Sequence, residues 1–133
     1  MPASDTFRDI HRLLADFYAA LDTGTSAEAA ALFAADGTWL RLGTELEGPK
    51  AVQGALDQRP ADRISAHFFA NLRVLDETES QCSFDYGLTV HAARVQGGET
   101  LAGTQTMTVM RGRDTAVREG GAWRFASKAS RIL

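Results

Sequence analysis

The spacing of the apolar residues changes along the chain, and this change limits the folds that the sequence can adopt. Between Asp5 and Asp22 these residues recur at alternating steps of three and four, the period of one helical face. The stripe consists of Phe7, Ile10, Leu14, Phe17 and Leu21. From about residue 63 onward, apolar residues instead alternate with polar ones, as they do in a strand. Helices followed by a run of strands indicate an α+β fold.

Capping and turn residues divide the chain into predicted elements. Ser4 or Asp5 is suited to cap the first helix, and Ser26 is suited to cap a second, Ala-rich helix that ends at Asp36-Gly37. A third helix is predicted to open at Gly48-Pro49. The predicted strands are 38–42, 64–75, 81–95, 100–110 and 122–130.

The polar segment Arg111–Gly121 is longer than a tight hairpin needs, so it is predicted to project as a mobile loop. The order helix, helix, strand, helix and four strands predicts one α+β domain over residues 1–133. Its curved sheet is expected to be mixed but mostly antiparallel and to wrap around the three helices.

Composition narrows the class of protein. A content of 44% hydrophobic and 23% charged residues is typical of a soluble globular chain. The net charge of −3, with Arg and Lys scattered, argues against nucleic acid as a partner, and no apolar run is long enough for a membrane span. The lone Cys82 cannot form an intramolecular disulfide, which favours a reducing compartment and makes the cytoplasm the expected location.

The stretch RISAHFFANLRV, residues 63–74, carries the first signal of a functional site. Its even positions are all apolar, whereas its odd positions include His67, Phe69 and Asn71. A strand face that mixes histidine, an amide and an aromatic ring suits a polar-lined cavity. The odd face of residues 81–95 likewise carries His91, so adjacent strands could bring both histidines to one pocket. If helices instead cover the even faces, the odd faces lie outside.

Two histidines and a carboxylate suggest acid–base chemistry. One imidazole can accept a proton from carbon while the other donates one, and Asp22 at the end of the first helix could orient His67. Each residue also has a structural alternative. Either histidine could be a plain strand residue, Asp22 could bind turn amides, and Asn71 could serve a β-bulge.

Aromatic and sulfur-containing side chains are candidates for ligand contacts. Tyr18 lies four residues before Asp22, so the two share one helix face. Trp39, Phe69 and Met107 could line an apolar cavity for a small hydrophobic molecule, although roles in the core fit them as well.

The phrases FYAALDTGTSAEAAALFAADGTWLRLGTELEGPKAVQGAL, AHFFANLRV and GGAWRFASKAS together resemble the nuclear transport factor 2-like superfamily, in its SnoaL-like and scytalone dehydratase-like branch. The resemblance implies a cone-shaped α+β barrel with a pocket inside. The catalytic pattern of scytalone dehydratase falls on Asp22, His67 and His91, and its pocket asparagine falls near Thr106. The tyrosines of that enzyme do not carry over.

The resemblance also implies that neither a metal nor a cofactor is needed. The expected function is that of a cofactor-independent lyase, of dehydratase type, or an isomerase acting on a hydrophobic, oxygenated small molecule. The alternative is a non-catalytic module of the same fold for small-molecule binding or dimerisation. The apolar even faces of the strands further predict a homodimer formed through the sheet.

Overall fold

The structure is a computed structural model that describes the backbone of residues 3–133 and the side chains of residues 5–133. Its helices are α1 (Ala3–Thr23), α2 (Ser26–Ala30) and α3 (Gly48–Asp57). Its strands are β1 (Phe33–Arg41), β2 (Thr44–Glu47), β3 (Arg63–Glu77), β4 (Gln81–Gln96), β5 (Glu99–Thr100), β6 (Thr106–Glu119) and β7 (Ala122–Ile132). The predicted α+β class is confirmed.

The strands form one curved sheet in the order β2-β1-β7-β6-β4-β3, with the short β5 beside β4. Strands β1 and β7 run parallel, and the other neighbouring strands pair antiparallel. The sheet is therefore mixed and mostly antiparallel, as predicted. It remains open between β2 and β3, so the predicted barrel is not closed.

Helix α1 lays its apolar stripe on the concave side of this sheet. Ile10, Leu14 and Phe17 are fully buried there. The Phe17 ring meets the rings of Phe33 and Phe125 edge-on at centroid distances of 5.8 and 5.3 Å. Burying each such side chain contributes about 1.5–3 kcal/mol, so the helix is held mainly by this face. No helix within residues 3–133 is long and apolar enough to cross a membrane.

The helix predictions were right at α3 and only partly right at α1 and α2. Helix α1 begins at Ala3, so Asp5 lies inside it, and the Ser4 side chain falls outside the described ones. Thr25, rather than Ser26, caps α2, which ends after five residues. The next residues enter β1, where Phe33 pairs with Phe125. Pairing with β7 outweighs the helix propensity of the Ala-rich run.

The prediction of a mobile loop over residues 111–121 was wrong, because β6 continues through most of it. Along this part of β6, Gly112, Asp114 and Ala116 are buried, and the residues between them, Arg113 and Thr115, are more exposed. The buried carboxylate concealed the alternation that would have marked a strand. Ser80 O accepts a hydrogen bond from the Arg118 amide, which fixes the far end of the segment.

The prediction that the odd faces of β3 and β4 share one side of the sheet was also wrong. His67 pairs with Val90, and Ala66 pairs with His91, so an odd residue of β3 shares its face with an even residue of β4. The odd faces of the two strands therefore lie on opposite sides of the sheet. The register also shifts between residues 70 and 73, where Asn71 has a φ of +56°. This β-bulge reverses which side of the sheet the following side chains face. After it, the even residues Leu72 and Val74 pack against the core.

Candidate active site

A cavity of about 450 Å³ opens on the concave side of the sheet, beside α1 and α3. Its apolar lining includes Leu21, Leu56, Leu88, Val90, Met110 and Ile132. Its polar lining includes Tyr18, His67, Lys128, Arg41, Arg59 and Arg63. A mostly apolar wall with a few polar groups is typical of sites for small organic molecules, and this volume lies in their usual range.

Asp22 and His67 are joined by hydrogen bonds at one wall of this cavity. His67 Nδ1 lies 2.6 Å from Asp22 Oδ1, and the His67 amide donates to Oδ2 at 2.7 Å. The Ser65 hydroxyl donates a further bond to Oδ1 at 2.8 Å. Three donors from β3 thus fix the carboxylate, which α1 supplies close to its end. The contact that the sequence predicted between Asp22 and His67 is present.

The chemistry of these atoms assigns the tautomer of His67. A carboxylate only accepts hydrogen bonds, so Nδ1 carries the proton and Nε2 keeps its lone pair. Burial lowers the pKa of His67, and the charges of Arg63 and Arg59 lower it further, whereas the hydrogen bond and charge of Asp22 oppose the shift. The net lowering keeps the ring neutral near pH 7. A neutral imidazole with a free Nε2 in a cavity wall can act as a base.

A second polar group lies in the cavity floor, where three strands meet. Lys128 Nζ donates to Tyr86 Oη at 2.7 Å and to Asp114 Oδ2 at 2.8 Å. Tyr86 donates its own proton to Asp114 Oδ2 at 2.6 Å, so the Tyr18 hydroxyl, 3.2 Å away, donates to Tyr86. Asp114 is fully buried, and Lys128 is 4% exposed. This network is almost dry, which makes each hydrogen bond electrostatically strong.

The protonation states in this network follow from burial and from the ion pair. Burial opposes the charge of Lys128, but the attraction of Asp114 prevails and the pKa of Lys128 is raised. Burial also raises the pKa of Tyr18, and it raises that of Tyr86 well above the ordinary value, with the Asp114 charge adding to both shifts. All three groups therefore keep their protons at neutral pH. Tyr18 and Lys128 both line the cavity, but only Lys128 keeps a proton that the network does not use, because Tyr86 and Asp114 accept two of its three and the single Tyr18 proton goes to Tyr86.

Gly112 of β6 makes room for this network. It pairs with Tyr86 across the β4–β6 ladder, and a Cβ atom at this position would overlap the Tyr86 ring. The phenol can therefore lie over the neighbouring strand and reach Asp114.

The structure separates the remaining predicted site residues into two groups. Tyr18 and Trp39 line the cavity, and the Tyr18 ring stacks on the His67 ring at 5.1 Å. His91 does not face the cavity, because its partner Ala66 precedes His67 and lies on the opposite face; its ring meets Phe68 on the outer side of the sheet. The predicted pairing of the two histidines across one pocket is therefore wrong.

Four predicted ligand contacts lie away from the cavity wall. Phe69 packs in the core between Tyr18 and Tyr86. Asn71 is exposed and lies at the β-bulge, which was the structural alternative to its predicted role in ligand binding. Met107 pairs with the outward-facing His91 and is 62% exposed, and Thr106 is exposed at the start of β6, where it does not line the cavity.

Sequence reasoning missed Asp114, Lys128 and the three arginines of the cavity. Asp114 was hidden in the segment taken for a loop, and Lys128 looked like an ordinary strand residue. The one available signal was the alternation of Gly112, Asp114 and Ala116, which places a carboxylate between two small residues on one strand face.

Comparison with known proteins agrees with this fold. The sequence profile of the SnoaL-like domain matches residues 3–129. The chain therefore belongs to the SnoaL-like family, and the predicted resemblance is confirmed. No curated protein sequence matched the chain.

Solved structures with the same fold share little sequence with the chain. A candidate scytalone dehydratase from Novosphingobium aromaticivorans has a TM-score of 0.83 at 19% identity, covering 96% of this chain and 84% of its own. A type 2 hexachlorocyclohexane dehydrochlorinase (LinA) has a TM-score of 0.81 at 15% identity, covering 96% and 85%. Aln2 from a Streptomyces species has a TM-score of 0.80 at 24% identity, covering 99% and 93%. At these identities the likeness establishes the fold alone.

Proposed function

We propose that this protein is a cofactor-independent lyase or isomerase that removes a proton from carbon in a hydrophobic, oxygenated small molecule. The observation that carries the proposal is the 2.6 Å contact between Asp22 and His67 at the wall of an open cavity of about 450 Å³. A base held by a carboxylate and turned toward a mostly apolar pocket suits abstraction of a weakly acidic C–H proton.

His67 Nε2 takes the proton from a carbon next to a carbonyl group. The electron pair of the broken C–H bond moves to the carbonyl oxygen, which becomes an enolate. The imidazolium that forms is stabilised by Asp22, which already accepts its Nδ1 proton. The enolate then either regains a proton at another carbon, which is isomerisation, or expels a leaving group from the neighbouring carbon, which is elimination.

Lys128 takes the donor role that His91 was predicted to fill, because Tyr86 and Asp114 accept only two of its three ammonium protons. Lys128 lines the cavity beside Tyr18, and its ammonium lies 5.0 Å from the centre of the Tyr18 ring. A charged donor in the cavity stabilises the negative charge that develops on the ligand oxygen and so lowers the barrier in a water-poor site. Lys128 holds its charge because Asp114 balances it, so the donor is in place before the ligand arrives.

The names of two structural neighbours support an elimination, since a dehydratase and a dehydrochlorinase each remove a small molecule from their substrate. The competing hypothesis is a binding module of the same fold, in which Asp22 and His67 only shape the pocket. The two differ in whether His67 is needed for proton transfer.

Deuterium exchange tests the proposal without knowledge of the natural substrate. The α-protons of 1-indanone and 1-tetralone, two hydrophobic aryl ketones, are followed by proton NMR in D₂O buffer with and without the protein. We expect exchange above the buffer rate, a loss of about 100-fold or more in His67→Gln, and a smaller loss in Asp22→Asn.

His91→Ala serves as the matched control, because it removes a histidine from the neighbouring strand on the outer face. It should exchange at the wild-type rate. Wild-type activity in His67→Gln would refute the role of this residue as the base, and binding of the ketones without exchange would favour the binding module.

A further inference from the structure

Three arginines converge on the cavity from three different elements. Arg41 ends β1, Arg59 follows α3, and Arg63 begins β3, and all three side chains line the cavity while remaining half-buried. They therefore lie where the cavity meets solvent. The neighbouring turn places Leu42 and Gly43 at the same edge.

No carboxylate within residues 5–133 forms an ion pair with any of these three side chains. Elsewhere, Arg73 and Arg94 do have such partners, Asp85 and Asp62 respectively. Arg59 donates only to the carbonyl oxygen of Leu21, at 3.1 Å.

The three charges also repel one another. Burial lowers the pKa of Arg41, and the charges of Arg59 and Arg63 lower it further. The pKa of Arg59 is lowered in the same way by burial and by Arg63, with Asp22 opposing. Asp22 bears one negative charge against the three positive ones and forms no ion pair with any of them, so it offsets them only in part. The mouth of the cavity thus holds excess positive charge in a chain whose net charge is −3.

Lys128 differs from the arginines in this respect, because Asp114 balances it in the floor. The positive charge in the cavity floor is therefore balanced by a carboxylate, the wall is apolar, and the mouth carries a net positive charge. Guanidinium groups bind planar and tetrahedral oxyanions through paired N–H donors, which makes this mouth suited to an anionic group.

We propose that the ligand of this cavity is a hydrophobic anion, whose apolar body fills the interior while its carboxylate or phosphate group binds Arg41, Arg59 and Arg63. The inference rests on the proposed function in that it takes the same cavity as the ligand site. Binding alone tests it, however, so it does not require turnover.

The test compares three probes that share one ring system: 2-naphthoate, 2-naphthyl phosphate and the neutral 2-naphthamide, each titrated by calorimetry. At least one anion should bind about tenfold or more tightly than the amide. The stronger of the two anions identifies the class of head group. Arg41→Gln and Arg63→Gln should each reduce this preference, while Arg12→Gln, which removes an exposed arginine outside the cavity, should preserve it.

The proposal is overturned if neither anion binds more tightly than the amide, or if the arginine variants keep the full preference. Titration of His67→Gln separates this result from the fate of the proposed function. This variant should retain the preference for an anion even though it has lost the base. Loss of proton exchange together with intact anion preference would support both proposals independently.

Discussion

At the scale of single residues, the environment of His67 decides what its imidazole can do. Burial favours the neutral ring, and the neighbouring positive charges act in the same direction, so the pKa of His67 is lowered despite Asp22. A base must be unprotonated to work. The lowered pKa thus extends the working range of this residue toward acidic pH.

The pH dependence of exchange should reflect this shift. We expect the exchange rate to keep its plateau below pH 6.5, about the ordinary pKa of histidine, and to fall only as the pH drops through the lowered value. Arg63→Gln removes one positive charge near the ring, so the pKa should rise and the acidic limb should move to higher pH.

Rates of 1-indanone exchange measured between about pH 4 and 8, a range that brackets the ordinary histidine pKa, provide the check. Arg12→Gln is the control, because this arginine is paired with Asp16 on the exposed side of α1 and should leave the limb in place. The account would be contradicted if the acidic limb of the wild-type profile lay above the ordinary pKa of histidine. It would also be contradicted if this limb moved to lower pH in Arg63→Gln.

At the scale of elements, the buried network ties together the middle of the sheet. Tyr86 comes from β4, Asp114 from β6 and Lys128 from β7, and the Ala129 amide donates a further bond to Asp114 at 3.2 Å. Each polar group in the network depends on the others, because Tyr86 and Asp114 are fully buried and cannot turn to water. The network is therefore vulnerable to the loss of any one partner.

Lys128→Met should destabilise the protein by about 3–5 kcal/mol, because it leaves the Asp114 carboxylate buried without a counter-charge. The double variant Lys128→Met/Asp114→Leu removes both charges and should recover most of this loss. Urea unfolding followed by circular dichroism gives the free energy of unfolding of each. If the double variant were no more stable than the single one, the ion pair would not be the source of the loss.

At the scale of the whole molecule, the outer face of the sheet carries exposed apolar side chains. Phe68 is 60% exposed, Met107 is 62% exposed, and Ile64 and Val109 extend the same surface over β3 and β6. His91 lies among them, between Ala66 and Met107 in the ladder. The predicted homodimer stays a prediction, and this outer face is the surface on which it would form.

Phe68→Lys should convert a dimer into a monomer, because a charge would be buried at the centre of the contact. Sedimentation velocity distinguishes one chain of 14.4 kDa from two. Leu42→Lys is the control, since Leu42 is 84% exposed but lies at the cavity mouth rather than on the outer face. A wild-type protein that sediments as a monomer at high concentration would contradict the prediction.

The sequence by itself determined the features that depend on local periodicity. The stripe on α1 was sufficient to predict the first helix, and Gly48-Pro49 was sufficient to predict the start of α3. The alternation in β3 placed Ser65, His67 and Phe69 on one face, and the resemblance connected Asp22 with His67. Such patterns can be read because each follows from the geometry of one element.

Only the tertiary structure decided which strand faces lie inside and which distant residues meet. The pairing of His67 with Val90 turned His91 outward, and the bulge at Asn71 reversed the face of β3 partway along its length. The contact of Lys128 with Asp114 depends on the register between β6 and β7 and on the space left by Gly112. Register and packing are properties of pairs of elements, so no periodicity within one strand contains them.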